Sequence, residues 1–184
     1  MSNSLDDAEI RQIVQRVVQS LTSPAASVSD VPTGRKVVAI GADHGGYEMK
    51  EALKADLAAL GLEVLDVGTN NKEAVDYPDF AHAVAQAVST GRAWRGIMID
   101  GAGIGSCIVA NKVPGVRAGM AYDVSSANNS REHNNTNVLT LGAGLIGLAL
   151  AKQIVKVWLT TEFAGGRHTP RVEKINAVEK RYLK

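Results

Sequence analysis

From residue 37 onward the apolar residues fall into short blocks that alternate between two periods. The stretches 37–41, 63–67, 96–99, 116–121 and 138–141 are apolar runs bounded by turn-forming residues, and they read as strands. Between them the apolar positions recur three and four apart. That spacing predicts helices over 46–60 (ended by Gly61), 78–90 (with Pro78 in its first position), 106–112, 125–134 and 145–161. A tail helix follows from about Pro170 to Leu183. Five successive strand-then-helix units predict an α/β domain with a three-layer, Rossmann-like fold. Its five-stranded parallel sheet carries helices on both faces. No internal repeat is visible.

The first 36 residues break this rhythm. Ile10, Ile13, Val14, Val17, Val18 and Leu21 form one apolar stripe of an amphipathic helix over 5–21. Ser4 or Asp6 caps it, and its early acids suit the helix dipole. The segment TSPAASVSDVPTGRK that follows is rich in Ser, Pro and Ala and reads as a flexible linker. The predicted organisation is a helical extension (1–22), a linker (23–36) and one catalytic-sized domain (37–184).

Composition then narrows the function classes. Twenty basic and nineteen acidic residues leave a net charge of +1, which gives no reason to expect nucleic acid. No apolar run approaches the ~18 residues that span a bilayer, so no membrane partner is expected. The acidic amino end is not a secretory signal. The single cysteine, Cys107, excludes an intrachain disulfide and suits a reducing cytoplasm. His44, His82, His133 and His168 are scattered without metal-ligand spacing, so no metal is expected. His82 falls in an apolar helix pattern and reads as structural, as does Cys107.

In parallel sheets ligands bind beyond the carboxyl ends of the strands. There this chain carries Asp43-His44-Gly45-Gly46, Asp76-Tyr77-Pro78, Asp100, Asp123 and Gly142 to Gly144. The richest turn is DGAGIGS (100–106). Gly101, Gly103 and Gly105 let the backbone approach a ligand closely, and a helix starting here directs its N–H groups at an anion. Asp100 stands at the mouth, placed to move a proton. Arg167 and Arg171 lie four apart and share one face at a helix start. They form either a phosphate grip or a solvated basic end.

Together these pieces resemble a known family. From Val37 to about Arg181 the chain is similar to the B-type ribose-5-phosphate isomerases and the galactose-6-phosphate isomerase subunits. The motifs are GADHGGYEMKEAL (41–53), VDYPDFA (75–81), GAGIGSCIVANKVPGVRA (101–118), SREHNNTNVLTLG (130–142) and EFAGGRHTPRVEKI (162–175). The resemblance implies interconversion of a phosphorylated aldose and ketose through an enediol(ate), without metal or organic cofactor. It implies that Asp43 and Tyr77 meet sugar hydroxyls or the ring oxygen, that His133 opens the ring and that Asn134 contacts the sugar. It assigns phosphate to His44, Arg167 and Arg171, and the enediolate oxygen to the N–H groups of Gly101, Gly103 and Gly105. It also implies a homodimer, or a tetramer of paired dimers, whose sites borrow residues from the partner.

Three departures fall inside the site. The family's usual base is a cysteine at the position of Asp100, with threonine at Ala102 and arginine at Gly144. Some members place a carboxylate base at the position of Ser106. A helix start favours a thiolate base but makes a carboxylate a weaker one, while burial under substrate works the other way. Carboxylates do serve as enediol bases. The expectation is an isomerase of ribose 5-phosphate or a close relative, with Asp100 in place of the cysteine. A non-catalytic binder of sugar phosphate, and an isomerase or epimerase of another phosphorylated sugar, remain open. The leading helix resembles the encapsulation peptides of enzymes packed into bacterial microcompartments, which implies docking of residues 5–21 on a shell or cargo protein.

Overall fold

The computed structural model of this chain describes residues 36–182. The expected helix over 5–21 and the linker as far as residue 35 lie outside the described residues, as does Leu183. The predicted alternation is present throughout the rest. The elements are β1 (Val37–Ala42), α1 (Tyr47–Ala59), β2 (Glu63–Asp66), α2 (Tyr77–Ser89), β3 (Arg95–Asp100) and α3 (Ile104–Ala110). Then come β4 (Ala118–Met120), α4 (Val124–Glu132), β5 (Val138–Gly142), α5 (Leu148–Thr160) and, after a 3-10 turn at Gly166–His168, α6 (Thr169–Tyr182).

All strand pairs are parallel, in the order β2-β1-β3-β5-β4. Alternation along the central strands splits the core into two layers, because successive side chains point to opposite faces. Val38 and Ile40 of β1, Ile97 and Ile99 of β3, and Leu139 and Leu141 of β5 pack with α1, α4 and α5 around Trp158. Ala39, Met98 and Val138 face the other way, onto α2 and α3. The second layer is thin. A Cβ on Gly41 or Gly96 would lie 2.6 Å from a Val84 methyl, so α2 sits directly on the sheet backbone.

Element ends differ from expectation for local reasons. The third helix begins at Ile104 rather than 106, because Gly103 takes a left-handed φ of 79° and turns the chain early. The fifth begins at Leu148 rather than 145, since Leu145 and Ile146 both donate to the Gly142 carbonyl in a preceding turn. Strand β4 is shorter than 116–121. Val116 packs into the second layer instead, and the Arg117 N–H donates to the Asn137 side chain at 2.7 Å. Two buried cations were not legible in the apolar pattern. Lys50, on the buried face of α1, places its ammonium 2.6 Å from the Asp66 carboxylate. Arg95 donates to the carbonyls of Trp158 and Leu159, and burial with the nearby Arg131 charge lowers its pKa to about 10.

Candidate active site

The order in which successive strands are added to the sheet reverses between β1 and β3. Strand β1 leads to α1 on one face of the sheet and β3 leads to α3 on the other, so their loops part and leave a crevice. Asp43 ends the β1 side. Its N–H donates to the Ile99 carbonyl (3.2 Å), and its side chain accepts from the Gly46 N–H (3.0 Å). A Cβ at Gly46 would stand 2.3 Å from the Ile99 oxygen, so only glycine closes this turn. His44 is exposed beside it, with Nδ1 3.2 Å from both the N and O of Val75. Tyr77 opens α2 and lies over Gly105, where an added Cβ would meet the phenol oxygen at 2.4 Å.

Asp100 ends β3, and its carboxylate turns inward under its own loop. Oδ1 accepts from the N–H groups of Ala102 (2.8 Å) and Gly103; Oδ2 accepts from the Ser106 N–H (3.3 Å) and the Ser106 hydroxyl. Four donors match the about four lone-pair positions of a carboxylate, and only 4% of Asp100 is exposed. The β5 loop holds the turn from the other side. Ala143 N–H donates to the Asp100 carbonyl and Gly144 N–H to that of Gly101. A Cβ at Gly144 would press within 2.9 Å of the Gly101 oxygen. The Gly103 N–H is therefore engaged by Asp100, whereas those of Gly101 and Gly105 have no partner among the described residues. Cys107, one residue beyond Ser106, is half-buried, and burial pushes its thiol up, away from a reactive thiolate.

The remaining predicted residues gather elsewhere. Helix α4 starts beyond the carboxyl end of β4 and runs back, so its C-cap His133 and the next residue, Asn134, lie at the opposite edge of the sheet, near the start of β5. Helix α5 returns to the same edge and delivers the 3-10 turn. There the His133 ring stacks on His168 with centroids 4.1 Å apart and planes within 8°. Arg167 and Arg171 flank this pair, Arg167 Nε lying 3.4 Å from His168 Nε2. Burial, with the neighbouring His133 and the positive charges of Arg167 and Arg171, holds His168 below the usual imidazole range. From Arg95 to Asp100 a strand rises roughly 17 Å. One chain thus brings together Asp43, His44, Tyr77, Asp100 and the three glycines at one edge. His133, Asn134, Arg167 and Arg171 gather at the other, and one chain does not join the two sets.

Two supporting residues at the His133 edge lie outside the sequence-predicted set. His168 is the stacking partner of His133. Arg131 is buried and donates to the Thr136 carbonyl, the Asn135 side chain (2.9 Å) and the Thr161 carbonyl (3.2 Å), which fixes the loop carrying His133 and Asn134. Its signal in sequence was a basic residue in the last turn of a helix, which suits a C-terminus for many other reasons.

A family model described as Ribose/Galactose Isomerase matches residues 38–175. Ribose-5-phosphate isomerase B of Escherichia coli (strain K12) is 47% identical over 146 residues, covering 79% of this chain and 98% of the relative. D-erythrulose-4-phosphate isomerase of Pectobacterium atrosepticum is 45% identical over 143 residues, covering 77% and 94%. The solved structure of Clostridium thermocellum ribose-5-phosphate isomerase B superposes with a TM-score of 0.78 at 50% identity, covering 80% of this chain and 99% of that one.

Proposed function

The chain belongs to the ribose/galactose isomerase family and is a sugar-phosphate isomerase; we propose that it interconverts ribose 5-phosphate and ribulose 5-phosphate, or a close relative of that pair, with Asp100 as the base. The observation that carries this reading is the position of Asp100. It is the ionisable side chain at the end of β3, inside the glycine turn and at the crevice where strand order reverses. His133 opens the ring, and Asp43, Tyr77 and Asn134 hold the sugar hydroxyls. Asp100 then removes the proton on carbon 2. The electron pair of that C–H bond moves into the carbon 1–carbon 2 bond, and the carbonyl oxygen becomes an enediolate oxygen. The open N–H groups of Gly101 and Gly105 stabilise that oxygen, while the Gly103 N–H orients the base. The proton returns to carbon 1 while the carbon 2 hydroxyl proton passes to the carbon 1 oxygen, which leaves the carbonyl on carbon 2; no electron acceptor is needed. His44, Arg167 and Arg171 hold the phosphate.

Such a site is complete only in a homodimer, where the His133 edge of one copy faces the Asp100 edge of its partner. The apolar surroundings of the Asp100 turn support this. Ile104, Ile108 and Leu145 are each more than half exposed there, a surface suited to a second protein copy. A four-carbon substrate is the second reading, because the erythrulose-phosphate enzyme, at 45% identity, is nearly as similar as ribose-5-phosphate isomerase B at 47%. Residues 5–21 serve as the docking segment for a microcompartment shell or cargo protein. Deleting residues 1–35 is expected to leave the domain folded and active but no longer recruited to shells.

The direct test supplies ribose 5-phosphate and tetrose 4-phosphates and follows the products by NMR. Asp100→Asn should cut kcat by about 10²–10⁴-fold, the usual worth of a general base, while substrate binding survives. Undiminished turnover in that variant would remove Asp100 from the chemistry. Gain of turnover on ribose 5-phosphate only in Asp100→Cys would assign the natural protein a different substrate or binding alone.

A further inference from the structure

We propose that Ser106 is the positioning residue of Asp100, and that Oδ2 is the carboxylate oxygen that carries the proton between the two carbons. This rests on Asp100 being the base. The four donors around the carboxylate are not equivalent. Oδ1 is held by two backbone N–H groups whose directions are fixed by the turn at Ala102 and Gly103. That turn is itself braced, because a Cβ at Gly103 would lie 2.9 Å from the Leu141 carbonyl carbon. Freeing Oδ1 therefore means moving main chain. Oδ2 has one long backbone contact, the Ser106 N–H at 3.3 Å, and one close contact from the Ser106 hydroxyl.

The hydroxyl is the one donor of the four that swings on a single bond. Turning it frees a lone pair of Oδ2 while Oδ1 stays anchored, so the carboxylate keeps its aim as it takes the proton. Ser106 is fully buried and sits in the first turn of α3. In the proton-carrying state the C2–H bond has broken and an Oδ2–H bond has formed. The Ser106 oxygen, with its own lone pairs, then accepts from that new O–H and steadies it until the proton passes to carbon 1. Without the hydroxyl the carboxylate pivots about Oδ1 and loses alignment, and small misplacements of a reacting group are costly.

The test compares Ser106→Ala, Ser106→Thr and Asp100→Asn in the full chain, using ribose 5-phosphate and tetrose 4-phosphates as substrates, with melting midpoints recorded alongside. Ser106→Ala should lower kcat about ten- to a hundredfold with KM within about twofold, and Ser106→Thr, which keeps the hydroxyl, should recover most of the loss. A merely structural hydroxyl would instead lower the melting midpoint and leave kcat unchanged. Normal or raised kcat in Ser106→Ala, with Asp100→Asn inactive, overturns the role of Ser106 and leaves the base in place. Turnover that survives Asp100→Asn overturns both.

Discussion

The two edges of the sheet are built differently. At the Asp100 edge the geometry is set by main chain. Glycines at 46, 103 and 144 allow contacts that any Cβ would block, and one carboxylate is enclosed by its own loop. At the His133 edge the geometry is set by side chains. A buried Arg131 ties down three acceptors, two imidazoles stack, and Arg167 and Arg171 stand in solvent. The first arrangement suits a reacting centre, where a group must be held before substrate arrives. The second suits a charged ligand, since exposed guanidiniums can follow a phosphate.

The contrast can be broken from either side. Arg131→Ala should have the largest effect on stability, about 2–4 kcal/mol by chemical denaturation, because it strands buried acceptors that a charged donor had satisfied. It should also raise KM, as the loop bearing His133 and Asn134 loosens. Gly46→Ala comes next. Its Cβ meets the unyielding Ile99 carbonyl, so a loss of roughly 1–3 kcal/mol is expected. Gly105→Ala should behave otherwise. The nearest atoms to its Cβ belong to the far end of the Tyr77 side chain, which can swing aside. The expected result is a severalfold rise in KM with the melting midpoint nearly unchanged. Equal destabilisation by the two glycine variants would mean that Tyr77 is locked in place.

The smallest expected effect is a pH dependence at the other edge. His168 takes up its proton at lower pH when folded than when unfolded. Above the ordinary imidazole value, about 6.5, both states are neutral and the group contributes no slope. As pH falls below that value the unfolded chain binds the proton first, so stability should decline toward the folded value. Denaturation midpoints measured on either side of pH 6.5 check the sign, and His168→Gln should remove that component. A rise in stability on acidification, lost in the same variant, would contradict the reading.

Much of this was legible before any coordinates. Alternating periods gave five strands and their helices because each strand is either buried on both faces or bounded by turn residues. The glycine turn announced itself because close backbone approach leaves few residue choices. The inward aim of Asp100 was not legible, since one carboxylate at a strand end has the same spelling whether it faces solvent or its own loop. The start of α3 depended on a single left-handed φ at Gly103. The division of the site between two edges was partly readable. A helix that begins above one edge must end at the other, which places His133 away from Asp100 in the same chain. Lys50 and Arg95 were hidden, because apolar periodicity does not register a buried cation that has found its partners.

The measurement that tests the account most directly uses two disabled chains. Asp100→Asn and His133→Ala are co-expressed with different affinity tags, and the mixed dimers are purified. Each homodimer should be nearly inactive with its sugar phosphate. The mixed dimer carries one site with Asp100 from one chain and His133 from the other, so about half of the wild-type activity per dimer should return. A mixed dimer that forms, proven by both tags, and yet stays as inactive as its parents would contradict a site shared between copies.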